Sequence, residues 1–292
     1  MDFLDADTYH ATPALSSGGV RTLISKCPAA YWYESPFNPV AVTAADRTLF
    51  DIGTAAHLAI LERDQIGARV QWLPYDDFRT KAAQQEREAA RASGKLPLLE
   101  KHAEILWGVE AAIEANPTAA ATFEGGVAER SVFYAVDGVP CKARLDYLSG
   151  TGTVLTDLKT TTSAHPEAFA RKVAQMGYHQ QAAWYLDAAA AVGARPTTFR
   201  FVVVESAPPY LTAVYDLAPS AIEWGRMLNA KAVELFQQCR AAGVWPGYPT
   251  EPQVIDLPSW LHFQLEERRA NGEFQTGAML RQVAGADAGE DF

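Results

Sequence analysis

The stretch VAERSVFYAVDGVPCKARLDYLSGTGTVLTDLKTT, residues 127–161, decides the fold of this chain. Apolar and polar residues alternate along much of it, and it is rich in the Val, Tyr, Phe and Thr residues that favour strands. Asp137-Gly138 and the four residues 149–152 (SGTG) interrupt the alternation with turn signals. The stretch therefore predicts a three-stranded antiparallel meander.

Helical segments are predicted on both sides of this meander. Their residue types favour helix, and Pro or Gly residues bound several of them. The predicted helices cover about residues 17–27, 50–62, 78–93, 99–115, 166–173, 178–192 and 219–242. Two further strands are predicted at residues 199–206 and 209–217. The predicted fold class is therefore α/β (mixed α+β), with a central mixed β-sheet flanked by helices.

The composition limits the classes of function. No apolar run approaches the roughly 20 residues that would span a bilayer, and the N-terminus lacks the features of a secretory signal. Three well-separated cysteines without a C-x-x-C pair favour reduced thiols and a cytoplasmic location. The net charge of −10 makes nucleic acid a poor partner in bulk electrostatic terms. A local basic lining or a bound divalent cation would be needed to bring phosphate to the protein.

The hairpin formed by the second and third strands collects the charged residues. A four-residue loop would pair Leu148 with Thr153 and Arg144 with Asp157, which places Asp146 and Asp157 on one face as diagonal neighbours about 7–8 Å apart. The residues of that face are Lys142, Arg144, Asp146, Asp157 and Lys159. Two carboxylates so placed could hold one cation between them. Spacing alone leaves open the alternative of a solvated face with an Arg144–Asp157 ion pair, which contributes little.

Three short motifs resemble those of a known nuclease superfamily. Asp146, followed eleven positions later by Asp157-Leu158-Lys159, resembles the D…(D/E)-x-K core of the PD-(D/E)XK nucleases. GTAAH at residues 53–57 resembles the G-x-x-x-H motif that precedes this core in the RecB-like branch. QAAWY at residues 181–185 resembles the Q-x-x-x-Y motif that follows it. All three occur in the order of that branch.

Longer stretches are similar to the C-terminal nuclease domain of the exonuclease VIII (RecE) group. They are YHATPALSSGGVRTLISKCPAAYWY, ERSVFYAVDGVPCKARLDYL, TDLKTTTSAHPEAFARKVAQMGYHQQAAWYLDA and WPGYP, within residues 8–260. The resemblance implies a restriction-endonuclease-like core and a compact phage or prophage version of the enzyme. It implies one nuclease domain over residues 1–265, with a helical part at 1–126 and a catalytic core at 127–265. The acidic segment 266–292 is expected to be a mobile tail.

The resemblance also implies the roles of individual residues. A divalent cation, Mg²⁺ or Mn²⁺, would be bound by His57, Asp146, Asp157 and the backbone carbonyl of Leu158. Lys159 would orient the attacking water or stabilise the transition state. Further expected contributors are Glu129 as an outer or supporting carboxylate, Gln181 and Tyr185 as catalytic residues that brace the site or contact the DNA backbone, and Lys142, Arg144, Thr160, Thr161 and Tyr178 as DNA contacts.

The activity implied by the resemblance is 5′-to-3′ degradation of one strand of linear double-stranded DNA. The 3′ overhangs would be used by a RecT-like single-strand annealing protein. The protein is expected to be a homo-oligomer, and a tetrameric ring would hold an acidic protein on DNA. The alternatives are a RecB-like endonuclease or single-strand nuclease of other polarity, and a catalytically inactive DNA-binding module.

Overall fold

The computed structural model of the chain describes residue 4 and residues 6–41 and 51–274. Contacts divide the chain into two units, the first ending at Gly247 and the second beginning at Tyr248. In the second unit the described residues form one helix, α12 (Ser259–Ala270), which runs across the domain boundary predicted at residue 265. That boundary remains a prediction, and residues 275–292 of the predicted tail lie outside the described residues.

The first unit begins with a helical part. Its elements are α1 (Ala6–Ala11), α2 (Ser17–Ser25), α3 (Pro28–Glu34), α4 (Asp51–Leu61), a 3₁₀ turn (Arg63–Gln65), α5 (Ile66–Arg69), β1 (Val70–Leu73), α6 (Lys81–Ala92), β2 (Leu96–Leu99), α7 (His102–Ala115) and α8 (Pro117–Thr122). The four predicted helices of this part are confirmed. The short strands β1 and β2, which pair in parallel, were not predicted. Pro28 starts a new helix, because the first helical position needs no backbone N–H.

The second part of the first unit contains the sheet. Its elements are β3 (Val127–Val136), β4 (Val139–Leu148), β5 (Val154–Thr161), α9 (Pro166–Met176), α10 (Tyr178–Ala191), β6 (Thr198–Glu205), β7 (Thr212–Asp216) and α11 (Pro219–Ala242). The five strands lie in the order β3-β4-β5-β6-β7. β5 and β6 are parallel and are joined by the crossover through α9 and α10 that a parallel pair needs, and the other pairs are antiparallel. The predicted mixed sheet, its meander and its flanking helices are confirmed.

The predicted pairing of β4 with β5 is wrong by two residues. Leu148 lies opposite Leu155 rather than Thr153, because Thr153 belongs to the turn. Ser149 closes that turn, since its N–H donates to the carbonyl of Val154 and its hydroxyl accepts from the N–H of Val154. A shift of two residues leaves every side chain on its original face. The predicted grouping of charged residues on one face therefore survives the error.

The sheet opens between β4 and β5. Their pairing covers Tyr147 with Thr156 and Leu148 with Leu155, and beyond these positions the two strands separate. Further along β4, the free edge is taken by the segment before α2, where Leu15 exchanges backbone hydrogen bonds with Pro140 and Lys142. The carbonyl of Pro140 and the N–H of Lys142 are thus satisfied without β5. The opening lets side chains from both faces of the sheet meet.

Helices cover both faces of the sheet. Buried residues of α10, such as Ala182 and Ala183, pack in one core with Phe199 and Phe201 of β6. Buried residues of α4 and α7 pack in a second core that includes Leu158 of β5. α4 and α10 are therefore placed on either side of the opening. Among the described residues, no helix combines the length and apolarity that crossing a bilayer requires.

Candidate active site

Three carboxylates occupy matching positions on neighbouring strands. Glu129 of β3 lies between two paired residues that flank Asp146 of β4, since Ala128 faces Tyr147 and Arg130 faces Leu145. The β4–β5 register, continued by one residue, places Asp157 beside Asp146. At this point the N–H of Leu158 donates to Asp146 Oδ2 at 3.1 Å in place of regular strand pairing. The site is therefore built where the sheet opens.

The backbone of Glu129 has an unusual conformation. Its φ is +50°, in the left-handed region that residues with a side chain seldom adopt. Such strain costs on the order of 1–3 kcal/mol and is concentrated at functional sites. The Glu129 carboxylate lies 3.9 Å from His57 Nδ1 and 3.9 Å from Arg144 Nε. The strained backbone thus places an acidic side chain beside an imidazole.

His57 reaches the carboxylates from α4. Its Nε2 lies 2.8 Å from the carbonyl oxygen of Leu158, and its Nδ1 lies 3.6 Å from Asp146 Oδ2. Gly53, one turn earlier, faces β5, and a Cβ at that position would lie 3.5 Å from Thr160 Oγ1. That distance is ordinary van der Waals contact, so sterics alone do not require the glycine of this motif.

The residues at the opening fit a divalent cation. His57, Glu129 and Asp146 each offer one ligand atom, and these atoms lie within 4.8 Å of one another. The Leu158 carbonyl adds an oxygen next to the imidazole. Carboxylate and carbonyl oxygens suit Mg²⁺ or Mn²⁺, and an imidazole is better matched to Mn²⁺. Glu129, expected as an outer carboxylate, is a member of this group.

Asp157 has other contacts. Its Oδ1 accepts a hydrogen bond from Gln181 Nε2 at 3.0 Å, and its Oδ2 forms a short ion pair with the ammonium of Lys159. The side chain is completely buried. Asp157 lies outside the group formed by His57, Glu129 and Asp146. Its role as a metal ligand stays a prediction.

The charges of the site are coupled. Burial would lower the pKa of His57, but the carboxylates of Asp146 and Glu129 outweigh that effect and raise the pKa to about 9. Burial and the nearby Asp146 carboxylate raise the pKa of Asp157 to about 6. Burial also raises the pKa of Asp146. Buried carboxylates that repel each other favour binding of a cation or a proton.

Lys159 is held as a charged group. Burial would lower the pKa of its ammonium, but Asp157 and Asp146 raise it overall. The ammonium also lies 4.7 Å from the ring centroid of Tyr178, within the range of a cation–π contact. Tyr178 is buried, and its ring contacts Lys159 at the site. Its predicted contact with DNA stays a prediction.

Gln181 and Tyr185 brace the site from α10. Gln181 Nε2 donates to Asp157 Oδ1 at 3.0 Å and to the Tyr185 hydroxyl at 3.1 Å. Both side chains are buried. Their spacing of four residues places them on one helix face, as predicted. These contacts correspond to the bracing role, and DNA contact by either residue stays a prediction.

Two of the predicted DNA contacts bind the N-terminal segment of the chain. The buried Lys142 ammonium donates to the carbonyls of Tyr9, His10 and Thr12 at 2.7–3.0 Å, which satisfies carbonyl groups at the end of α1. Arg144 Nη2 donates to the carbonyl of Leu4 at 2.8 Å. The geometry favours a structural role for both residues, and contact with phosphate stays a prediction.

The two threonines lie at the end of β5. Thr160 is half-buried and faces Gly53. Thr161 is buried, and its hydroxyl donates to the carbonyl of Ser163 at 3.2 Å while it accepts from Lys172 Nζ at 3.0 Å. Lys172 of α9 was not predicted. No local sequence signal distinguishes Lys172, because its contact with Thr161 depends on how the turn between β5 and α9 places the helix.

The fold and the site define the class of protein. The mixed sheet flanked by helices is a PDDEXK-like nuclease fold. Its site combines a histidine on a helix with acidic residues on adjoining strands and a D-x-K lysine where the sheet opens. The chain belongs to the family described as "PDDEXK-like domain of unknown function (DUF3799)", whose profile matches residues 23–258.

Solved structures with the same fold include a protein from Eubacterium rectale named "Putative exonuclease". It is 11% identical, the match covers 88% of this chain and 96% of that one, and the TM-score is 0.61. A phage related exonuclease from Haemophilus somnus 129PT is 12% identical over 81% of this chain and 98% of that one, with a TM-score of 0.35. The first likeness supports the fold. No curated protein sequence matches this chain significantly.

Proposed function

We propose that this protein is a metal-dependent exodeoxyribonuclease that degrades one strand of linear double-stranded DNA in the 5′-to-3′ direction. The observation that carries the proposal is the meeting of His57, Glu129 and Asp146 with the Asp157–Lys159 ion pair at the opening between β4 and β5. The polarity and the substrate rest on the resemblance to the exonuclease VIII group.

His57, Glu129, Asp146 and the Leu158 carbonyl would hold the cation, and Asp157 lies beside them. When bound, the cation would lower the pKa of a water molecule and polarise the scissile phosphoryl oxygen. Lys159 would stabilise the negative charge that develops on the phosphate, since its ammonium is kept charged and in place by Asp157 and Tyr178. Gln181 would keep the Asp157 carboxylate in position.

The proposal includes an assembly. The resemblance to the exonuclease VIII group implies a homo-oligomer in the form of a tetrameric ring, which would keep an acidic chain on DNA by encircling it. Exposed apolar side chains supply surface for such contacts: Trp224 and Met227 on α11, and Trp260 and Phe263 in the second unit. A RecT-like annealing protein would then receive the 3′ overhang. The buried Cys27, Cys141 and Cys239, which form no disulfide bond, suit a reducing cytoplasm.

Digestion of end-labelled linear duplex tests the proposal. With Mg²⁺ or Mn²⁺, we expect a 5′ label to be released as mononucleotide early and a 3′ label to persist in long single strands. Chelator should stop both reactions. Release of the 3′ label first, or cleavage of closed circular duplex, would favour the endonuclease or other-polarity alternative. Binding without hydrolysis in either metal would favour the inactive binding module.

A further inference from the structure

Lys172 extends from α9 toward the end of β5. Its ammonium donates to Thr161 Oγ1 at 3.0 Å, and the Thr161 hydroxyl is itself fixed by its bond to the carbonyl of Ser163. Thr161 lies two residues beyond Lys159, roughly 7 Å along the strand. The Lys172 ammonium is therefore held at the end of β5, beyond Lys159.

The charge of Lys172 is uncompensated within the described part of the chain. No described carboxylate lies within 4.0 Å of its ammonium, whereas the neighbouring Arg171 is paired with Glu167 at 3.9 Å. Burial and the positive charge of Lys159 lower the pKa of Lys172. Lys159 has the Asp157 carboxylate as its partner, so Lys172 is the ammonium of the two that an additional anion would stabilise.

We propose that Lys172 forms a phosphate-binding subsite next to Lys159, which holds the phosphate adjacent to the scissile one. The inference rests on the proposed function and deepens it, because it assigns a substrate contact to a residue outside all three motifs. In an acidic chain, a fixed and unpaired ammonium at this position supplies the local positive charge that a nucleic-acid strand requires. Thr161 contributes by orienting the lysine.

The phosphate has two possible sources. It is an internal phosphodiester of the strand, or it is the terminal phosphate of a 5′ end. Both present the same oxygens to the ammonium. Duplexes with 5′-phosphate and 5′-hydroxyl ends distinguish them, since a terminal site would make Lys172 matter for the phosphorylated end alone.

Salt dependence of DNA binding tests the subsite without catalysis. Binding of a linear duplex would be titrated in chelator at several salt concentrations for wild type and for Lys172→Met, which keeps the length of the side chain and removes its charge. We expect severalfold weaker binding at low salt. The slope of log K against log salt should be smaller by about one, as for the loss of one phosphate contact.

Two matched variants complete the experiment. Lys172→Arg keeps the charge and should retain the wild-type slope. Lys95→Met removes an exposed lysine from the turn after α6 and should also retain the wild-type slope. Should the metal-free protein bind too weakly, the same slopes are read from KM in Mg²⁺.

A folded Lys172→Met variant with the wild-type slope on both kinds of end overturns the inference and leaves the proposed function intact. A wild-type protein that neither binds nor degrades duplex overturns both. Thermal melting of each variant shows whether it is folded.

Discussion

The side-chain amide of Gln181 donates a hydrogen bond to the carboxylate of Asp157 at 3.0 Å. The two residues belong to separate motifs and to separate elements, α10 and β5. Because Asp157 also pairs with Lys159, this bond links the helix to the ammonium that the proposed chemistry uses. The D-x-K and Q-x-x-x-Y motifs therefore form one connected cluster.

Removing that link is expected to cost both stability and activity. Gln181→Ala leaves a buried carboxylate with one hydrogen bond fewer, which should lower the free energy of unfolding by about 1–3 kcal/mol. Tyr185→Phe removes only the hydroxyl and should cost less, since Gln181 keeps its bond to Asp157. Urea denaturation measures both, with the exposed Gln238→Ala as the control. Equal stability of Gln181→Ala and the control would contradict the bracing role.

The strained backbone of Glu129 gives a second prediction. Glu129→Gly and Glu129→Ala both remove the carboxylate, and we expect each to weaken Mn²⁺ binding by at least about tenfold. Only Gly relieves the positive φ, so the Gly variant should be about 1 kcal/mol more stable than the Ala variant. Titration calorimetry and urea denaturation measure the two effects. His262→Ala, which changes an exposed histidine of α12, should bind Mn²⁺ like wild type. Unchanged Mn²⁺ affinity in both Glu129 variants would remove this residue from the proposed cation site.

The metal-free protein should lose stability as the pH rises. The folded pKa of His57 is about 9, above its ordinary value near 6.5, so the stability that its proton contributes is full below about pH 6.5 and lost as the pH passes 9. Asp157, with a folded pKa of about 6, acts in the same direction between about pH 4 and 6. Denaturation in chelator at pH 6.5 and 9 measures the first effect. His57→Gln should flatten the fall in that window, and a fall as steep as that of wild type would show that His57 is not its source.

Lys142 gives a prediction that separates structure from DNA binding. Its buried ammonium donates to three carbonyls, so Lys142→Met should lower the free energy of unfolding by about 1–3 kcal/mol. The salt dependence of DNA binding should not change, in contrast to Lys172→Met. A reduced salt slope in folded Lys142→Met would restore the phosphate contact that the sequence predicts.

Sequence patterns were sufficient for the sheet and for most helices. Alternation over 127–161 and the turn signals predict the meander because strand-favouring residues are concentrated there and its turns are short. The register failed because Ser149 extends the turn by capping Val154, a contact that loop length alone does not reveal. The strands β1 and β2, four residues each, are too short to show a period.

Motif residues from distant parts of the chain lie together in the structure, whereas contacts made outside the motifs could not be predicted from the sequence. His57, Asp146 and Lys159 lie together as the motifs suggest. The position of Glu129 beside His57 could not be predicted, because alternation does not reveal a backbone turned to positive φ. The structural contacts of Lys142 could not be predicted, because its partners, the carbonyls of residues 9, 10 and 12, are about 130 positions away in sequence.

The most direct test of the central claim compares wild type with Asp157→Asn and Lys159→Ala in digestion of linear duplex with Mg²⁺, Mn²⁺ or chelator. Asp256→Asn, which changes an exposed aspartate in the second unit, is the control. We expect wild type and the control to degrade the duplex only with metal, and both site variants to stay folded and lose turnover. Undiminished hydrolysis by a folded Asp157→Asn or Lys159→Ala protein would contradict the account.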